Sequence, residues 1–234
     1  MSQKAVKIIA CASVIEEMLP FLPAHIEYKE VEPGLHLNAD KLRNSIQALI
    51  DDFNNEFENI VLGFGLCSMA AVGLKSSRSR LIIPRVDDCI GLFLGSQDIY
   101  KKHLEKEHGT YFLSKGWIDA GVTLIEEFKQ VEERMGKEAA DIVRERMLKG
   151  YTRLAFINMG HENQGKYRAF SKKAANELGL RFDEIRGTDR LIKKMIFGPW
   201  DKNNFIIVQP GEKISFSDFK ADRKTSLQQN DCNG

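Results

Sequence analysis

The stretch Asn59-Ile60-Val61-Leu62-Gly63-Phe64-Gly65-Leu66-Cys67-Ser68 decides the fold class. Its first six residues read as a short buried strand, and Gly65-Leu66-Cys67-Ser68 as a tight exit from it. Small residues follow, and they suit a helix packed close to a sheet, with Cys67 at its start. A strand that runs directly into a helix is the unit from which parallel sheets are built.

The same unit recurs on both sides. Upstream, Ala5 to Ala12 reads as a buried strand and Ser13 to Phe21 as a short helix, with Ser13 as N-cap and Glu16 completing a capping box. Ile26 to Val31 is a second strand. Ala39 to Phe53 is an amphipathic helix with Leu42, Ile46, Leu49, Ile50 and Phe53 on one face and Asn38 as its cap. Downstream, Arg80 to Pro84 is a fourth strand, followed by Asp87-Asp88-Cys89 and a helix to about Lys106.

After residue 109 the pattern restarts. Strands are expected at Thr110 to Leu113, Arg153 to Met159, Phe182 to Ile185 and Asn204 to Val208. Helices are expected at Val122 to Met135, Glu138 to Lys149, Lys166 to Leu178 and Asp189 to Phe197. The reading is an α/β protein with a mostly parallel sheet of βα units and right-handed crossovers. It divides into an N-terminal half over 1–108, a second α/β half over 109–218, and a polar tail over 219–234 that reads as disordered. The halves form either two similar lobes facing a cleft or one long sheet.

The 34 Lys and Arg nearly cancel the 33 Asp and Glu, so no global field draws the chain to nucleic acid or to an anionic membrane. Its apolar runs are too short to span a bilayer, and the first residues lead into a strand rather than a signal segment. These features point to a cytoplasmic protein. Four widely spaced cysteines in a reducing compartment are expected as thiols, thiolates or metal ligands rather than disulfides.

Three of them share a place in the pattern. Cys11 ends strand one, Cys67 follows strand three and Cys89 follows strand four, all on the edge where open parallel sheets bind ligands. Strands lie roughly 4.8 Å apart, and thiolates on one tetrahedral ion, at about 2.3 Å from it, roughly 3.8 Å apart. Three thiolates could hold zinc with an open fourth position, or an iron-sulfur cluster with one iron left for a small-molecule ligand. Against this, cysteine behaves as a small buried hydrophobe, and the local spacing of a metal motif is missing. Cys232 lies in the tail and has no assigned role.

Neighbouring residues define the rest of the candidate site. Gly63 and Gly65 would let backbone approach a ligand, and at a helix start Cys67 would have a lowered thiol pKa suited to a nucleophile. Arg85 could hold an anionic group; Asp88 could act as ligand, base or helix cap. His36 is a candidate fourth metal ligand, whereas His25, His103 and His108 read as surface. In the second half, Trp117, Asn158 and Gly160, with His161 beside them, close strands and could line the far wall of a cleft. Core packing by Trp117 and capping by Asn158 are the plain alternatives.

Taken with Ala10-Cys11, Leu35-His36, Gly63 to Cys67, Ile83-Pro84-Arg85 through Asp88-Cys89-Ile90, Leu94-Gly95-Ser96, Gly109-Thr110-Tyr111, Gly116-Trp117 and Gly150 to Arg153, the chain resembles an uncharacterised prokaryotic family, domain of unknown function 1638. Members usually carry His where this chain has Asp87, which argues against a ligand role there. The resemblance implies anaerobes and methanogens, the neighbourhood of corrinoid-dependent methyltransferase proteins, and a link to one-carbon or metallocofactor metabolism. Three readings follow. The first is a metal or iron-sulfur protein using Cys11, Cys67, Cys89 and His36. The second is a metal-independent enzyme with Cys67 as nucleophile, assisted by Asp88 or His36, and Arg85 binding an acidic substrate. The third is a corrinoid or tetrapyrrole binding protein, against which the absence of a familiar cobalamin-binding His motif counts.

Overall fold

A computed structural model describes residues 4–32, 34, 35 and 38–220. His36 and Cys232 lie outside the described residues. The architecture is mixed α/β, with strands and helices alternating around two sheets.

The first sheet contains β1 (Lys4–Cys11), β2 (Glu27–Val31), β3 (Phe57–Gly63), β4 (Arg80–Pro84) and β8 (Phe205–Val208), in the order β2-β1-β3-β4-β8. Its first four strands are parallel, and β8 runs antiparallel beside β4. The second sheet contains β5 (Thr110–Ser114), β6 (Arg153–Asn158) and β7 (Arg181–Arg186), all parallel. There are thus two sheets and not one long one. The last strand, which follows the second sheet in sequence, returns to close the edge of the first.

Alternating residues sort the core into layers, because successive side chains on a strand point to opposite faces. Ile9, Ile60, Leu62, Leu81 and Ile83 face Leu42, Ile46 and Ile50 of α2 (Ala39–Phe53). Ile8, Ala10, Val61 and Ile82 face a middle cluster holding Val14 and Met18 of α1 (Ala12–Met18), with Phe112, Ala155 and Ile157 of the second sheet. The outer face of that second sheet packs Leu113 and Leu154 on Phe128 and Ala175.

Asn38 caps α2 as expected, its side chain accepting from Lys41 N at 3.0 Å. Other local expectations are revised. Cys11, not Ser13, occupies the N-cap position of α1, no side chain caps that helix, and Ser13 is buried within it. The helix expected through Lys106 is two, α3 (Cys89–Phe93) and α4 (Gln97–Lys106), the second capped by Ser96. Phe219, placed in the tail by its sequence, is 1% exposed and packs into the core from a short terminal helix. Residues 221–234 lie outside the described residues. Among the described residues no helix is long and apolar enough to cross a membrane.

Candidate functional site

Helices α1 and α2 pack on opposite faces of the first sheet, and the strand order doubles back at β1. The chain therefore changes direction between β1 and β3, and in open parallel sheets the crevice beyond the carboxyl ends at such a point receives ligands. A cavity of about 440 Å³ lies there, lined by Cys11, Cys67 and Cys89. The three thiols come from three adjacent strands, β1, β3 and β4, and each is partly exposed. Further walls are the apolar side chains of Leu42, Phe64, Leu66, Ile90, Trp117 and Val122.

Backbone contacts set the thiol-bearing loops side by side. Leu66 N donates to Val86 O at 2.9 Å and Cys67 N to Asp87 O at 2.8 Å. A Cβ on Gly65 would stand 2.6 Å from Val86 O, so glycine is needed for this approach. At Gly63 a Cβ would collide with Ala10 Cβ. Both glycines therefore serve close packing, and Gly63 also lines the cavity.

Cys67 does not open a helix. Cys67, Ser68 and Met69 occupy left-handed backbone with φ of 45°, 53° and 76°, and residues 67–73 form turns. Three consecutive non-glycine residues in this region are costly, and such strain gathers at ligand-holding loops. Without a helix start there is no dipole to acidify the thiol. Burial instead pushes Cys67 up to about 12, with the Asp88 carboxylate adding to the effect. Cys11 and Cys89 are raised as well, first by burial and then by neighbouring groups that include the other cysteines.

Asp88 both lines the cavity and caps α3. Its Oδ1 accepts from Ile90 N at 2.9 Å and its Oδ2 from Tyr100 Oη at 3.1 Å. Burial raises the Asp88 carboxyl above its ordinary range, against the opposing effect of these bonds. Asp87 is held by Gln97, with Oδ2 accepting from Nε2 at 2.6 Å.

Arg85 is not brought to the thiols. Its guanidinium donates to the carbonyl oxygens of Asp218, Lys202 and Phe205, tying β4 to the returning chain, and it lines a separate hollow beside β8. Asn158 and Gly160 also stand apart. The Asn158 side chain donates to Glu184 at 2.7 Å and accepts from Gly160 N at 2.9 Å, and both residues line a different hollow at the ends of β6 and β7. Trp117 does reach the cavity, and it also packs edge-on against Phe93 with centroids 5.3 Å apart. His25 and His108 are exposed, while His103 is half-buried.

Sequence reading missed Glu32, Ser13 and Val122 in the cavity wall. Glu32 follows the end of β2, so the strand-end rule that selected the cysteines would have found it. It also missed a buried link between the sheets. Glu17 of α1, wholly buried, accepts from Gly116 N at 2.8 Å and lies 2.6 Å from His161 Nε2.

The thiols share one cavity, yet among the described residues no group of three or more His, Cys, Asp or Glu side chains is arranged to hold a metal ion.

Fold and site define an α/β protein with a thiol-lined cavity at the switch point of a parallel sheet. The family model described as protein of unknown function (DUF1638) matches residues 31–196, and the chain belongs to that family. Neither curated proteins nor solved structures gave a match.

Proposed function

We propose that the protein binds a thiophilic metal, as zinc or as the iron of an iron-sulfur cluster, through Cys11, Cys67 and Cys89, and presents it to a small molecule in the cavity. The observation that carries this reading is the delivery of three thiols by three adjacent strands to one cavity at the switch point. Carboxylates of Glu32, Asp87 and Asp88 line the same space, and no Lys, Arg or His does among the described residues. A cation is what such walls attract, and a bound metal offsets the cost of ionising buried thiols.

The same surroundings count against a bare cysteine nucleophile. With Cys67 pushed up to about 12, roughly one thiol in 10⁵ is ionised at neutral pH, and no basic group lines the cavity to assist it among the described residues. The cavity volume lies in the lower part of the range for small-molecule sites, about 300–1,000 Å³, and favours a small ligand over a corrinoid.

Purification without oxygen, followed by metal analysis and an absorption spectrum, tests the reading. Close to one zinc, or iron with matching sulfide, per chain is expected, falling at least fivefold in Cys67→Ser and in Cys89→Ser. Metal-free protein that takes up neither zinc nor iron with sulfide overturns it.

A further inference from the structure

The cavity walls themselves point to a class of ligand. Glu32, Asp87 and Asp88 supply three carboxylates from the ends of β2 and β4, while Phe64, Leu66, Ile90, Trp117 and Val122 supply an apolar and aromatic lining. No cationic side chain lines the space among the described residues. Asp87 and Asp88 are engaged by Gln97, Tyr100 and the start of α3. Glu32 lines the cavity, is exposed and has no hydrogen bond or ion pair among the described residues.

From this combination we infer that the cavity selects small organic cations of the ammonium class over neutral or anionic molecules of the same shape. Aromatic rings attract a cation through their quadrupole, and partial desolvation in a cavity strengthens that attraction. Carboxylates in the walls add a longer-range attraction and repel anions. An anionic ligand would meet carboxylate-bearing walls and, among the described residues, no cationic side chain to pair with, the costly case for a buried charge. The inference concerns the same cavity as the proposed metal site but rests on its walls, not its thiols. A divalent ion on three thiolates would leave the site with a net negative charge, so the preference is expected with or without metal.

Calorimetric titration with three compact probes built on a methyl-bearing tetrahedral centre, tetramethylammonium, tert-butanol and pivalate, tests the inference on metal-free and metal-loaded protein at low salt. Tetramethylammonium is expected to bind at least tenfold tighter than tert-butanol, and pivalate not detectably. Glu32→Gln should weaken the cation threefold or more and leave the alcohol unchanged. Trp117→Leu should remove most of the preference, and Trp117→Phe, which keeps an aromatic ring, should retain it. Equal or tighter binding of the alcohol or carboxylate, no binding of any probe, or cation affinity unmoved by both Glu32→Gln and Trp117→Leu overturns the inference. Metal uptake without cation preference sinks this inference alone; cation preference in a protein that takes up no metal sinks the metal reading alone.

Discussion

The backbone N–H of Cys67 donates to the carbonyl oxygen of Asp87 at 2.8 Å, two residues before Cys89. Contact between β3 and β4 thus continues past the strand ends, and two of the three thiol-bearing positions are set by main-chain bonds. The third, Cys11, is set by the register of β1, in which Ala10 pairs with Gly63.

Gly65→Ala should break this arrangement. Its Cβ would fall 2.6 Å from Val86 O and 2.7 Å from Asp88 N, both main-chain atoms that cannot swing aside. A loss of about 1–3 kcal/mol is expected in urea unfolding, together with reduced metal uptake. Unchanged stability and uptake would show that the two loops do not need this approach.

Arg85→Ala separates stability from binding. The guanidinium satisfies carbonyls of Asp218, Lys202 and Phe205 and lines a hollow other than the thiol cavity. Unfolding should become easier by about 1.5–3 kcal/mol, the range for hydrogen bonds to a charged group. Metal content and probe affinity of the folded variant should match the parent; a selective loss of either would return Arg85 to the site.

The strand pattern and α2 were legible because period-two and period-3.6 hydrophobicity survive any tertiary context: Arg80–Pro84 and Ala39–Phe53 fall where the sequence puts them. The cysteine edge was legible for the same reason, since strand ends follow from strands. Residues 67–73 were not. Their small side chains suit a helix, but they form turns instead, with Cys67, Ser68 and Met69 in left-handed backbone where Cys67 N bonds Asp87 O. Nor was the direction of Arg85 legible, because it depends on β8 returning from more than a hundred residues away to pair with β4. His161 read as a strand-end residue facing a ligand, and it faces Glu17, a partner 144 residues distant.

The left-handed turn itself can be tested at Met69, which has φ of 76° and is 40% exposed. Glycine adopts this conformation without the penalty a side chain incurs, roughly 1–2 kcal/mol. Met69→Gly should therefore stabilise the protein by roughly 1 kcal/mol after glycine's extra unfolded-state freedom is subtracted. Destabilisation would mean that the Met69 side chain contributes more packing than its exposure suggests.

Raised thiols give the metal-free protein a defined pH response. Cys67 ionises near 9 when unfolded and is pushed up to about 12 when folded. Between those values the unfolded chain releases a proton that the folded chain keeps, so stability present below pH 9 is lost as pH rises toward 12. The slope is at most about 1.4 kcal/mol per pH unit for each such thiol. Cys67→Ala should flatten it; an unaltered alkaline slope would place Cys67 in a more solvated setting.

Glu17 provides the sharpest test of how the second sheet reaches the cavity. Its carboxylate is wholly buried, accepts from Gly116 N at 2.8 Å and lies 2.6 Å from His161 Nε2. Gly116 immediately precedes Trp117, so the bond that holds α1 to α5 (Lys115–Asp119) also holds the backbone beside the aromatic wall of the thiol cavity. Glu17→Ala leaves the Gly116 amide and the imidazole buried without their partner, and a buried polar group left unsatisfied costs about 1–3 kcal/mol. Glu17→Gln keeps one oxygen for the Gly116 amide and should lose less. With Trp200 replaced by Phe, Trp117 emission should shift to longer wavelength in Glu17→Ala and stay near the parent value in Glu17→Gln. If both variants unfold alike and leave that emission unmoved, Trp117 is held by Phe93 and its other core neighbours rather than through Glu17.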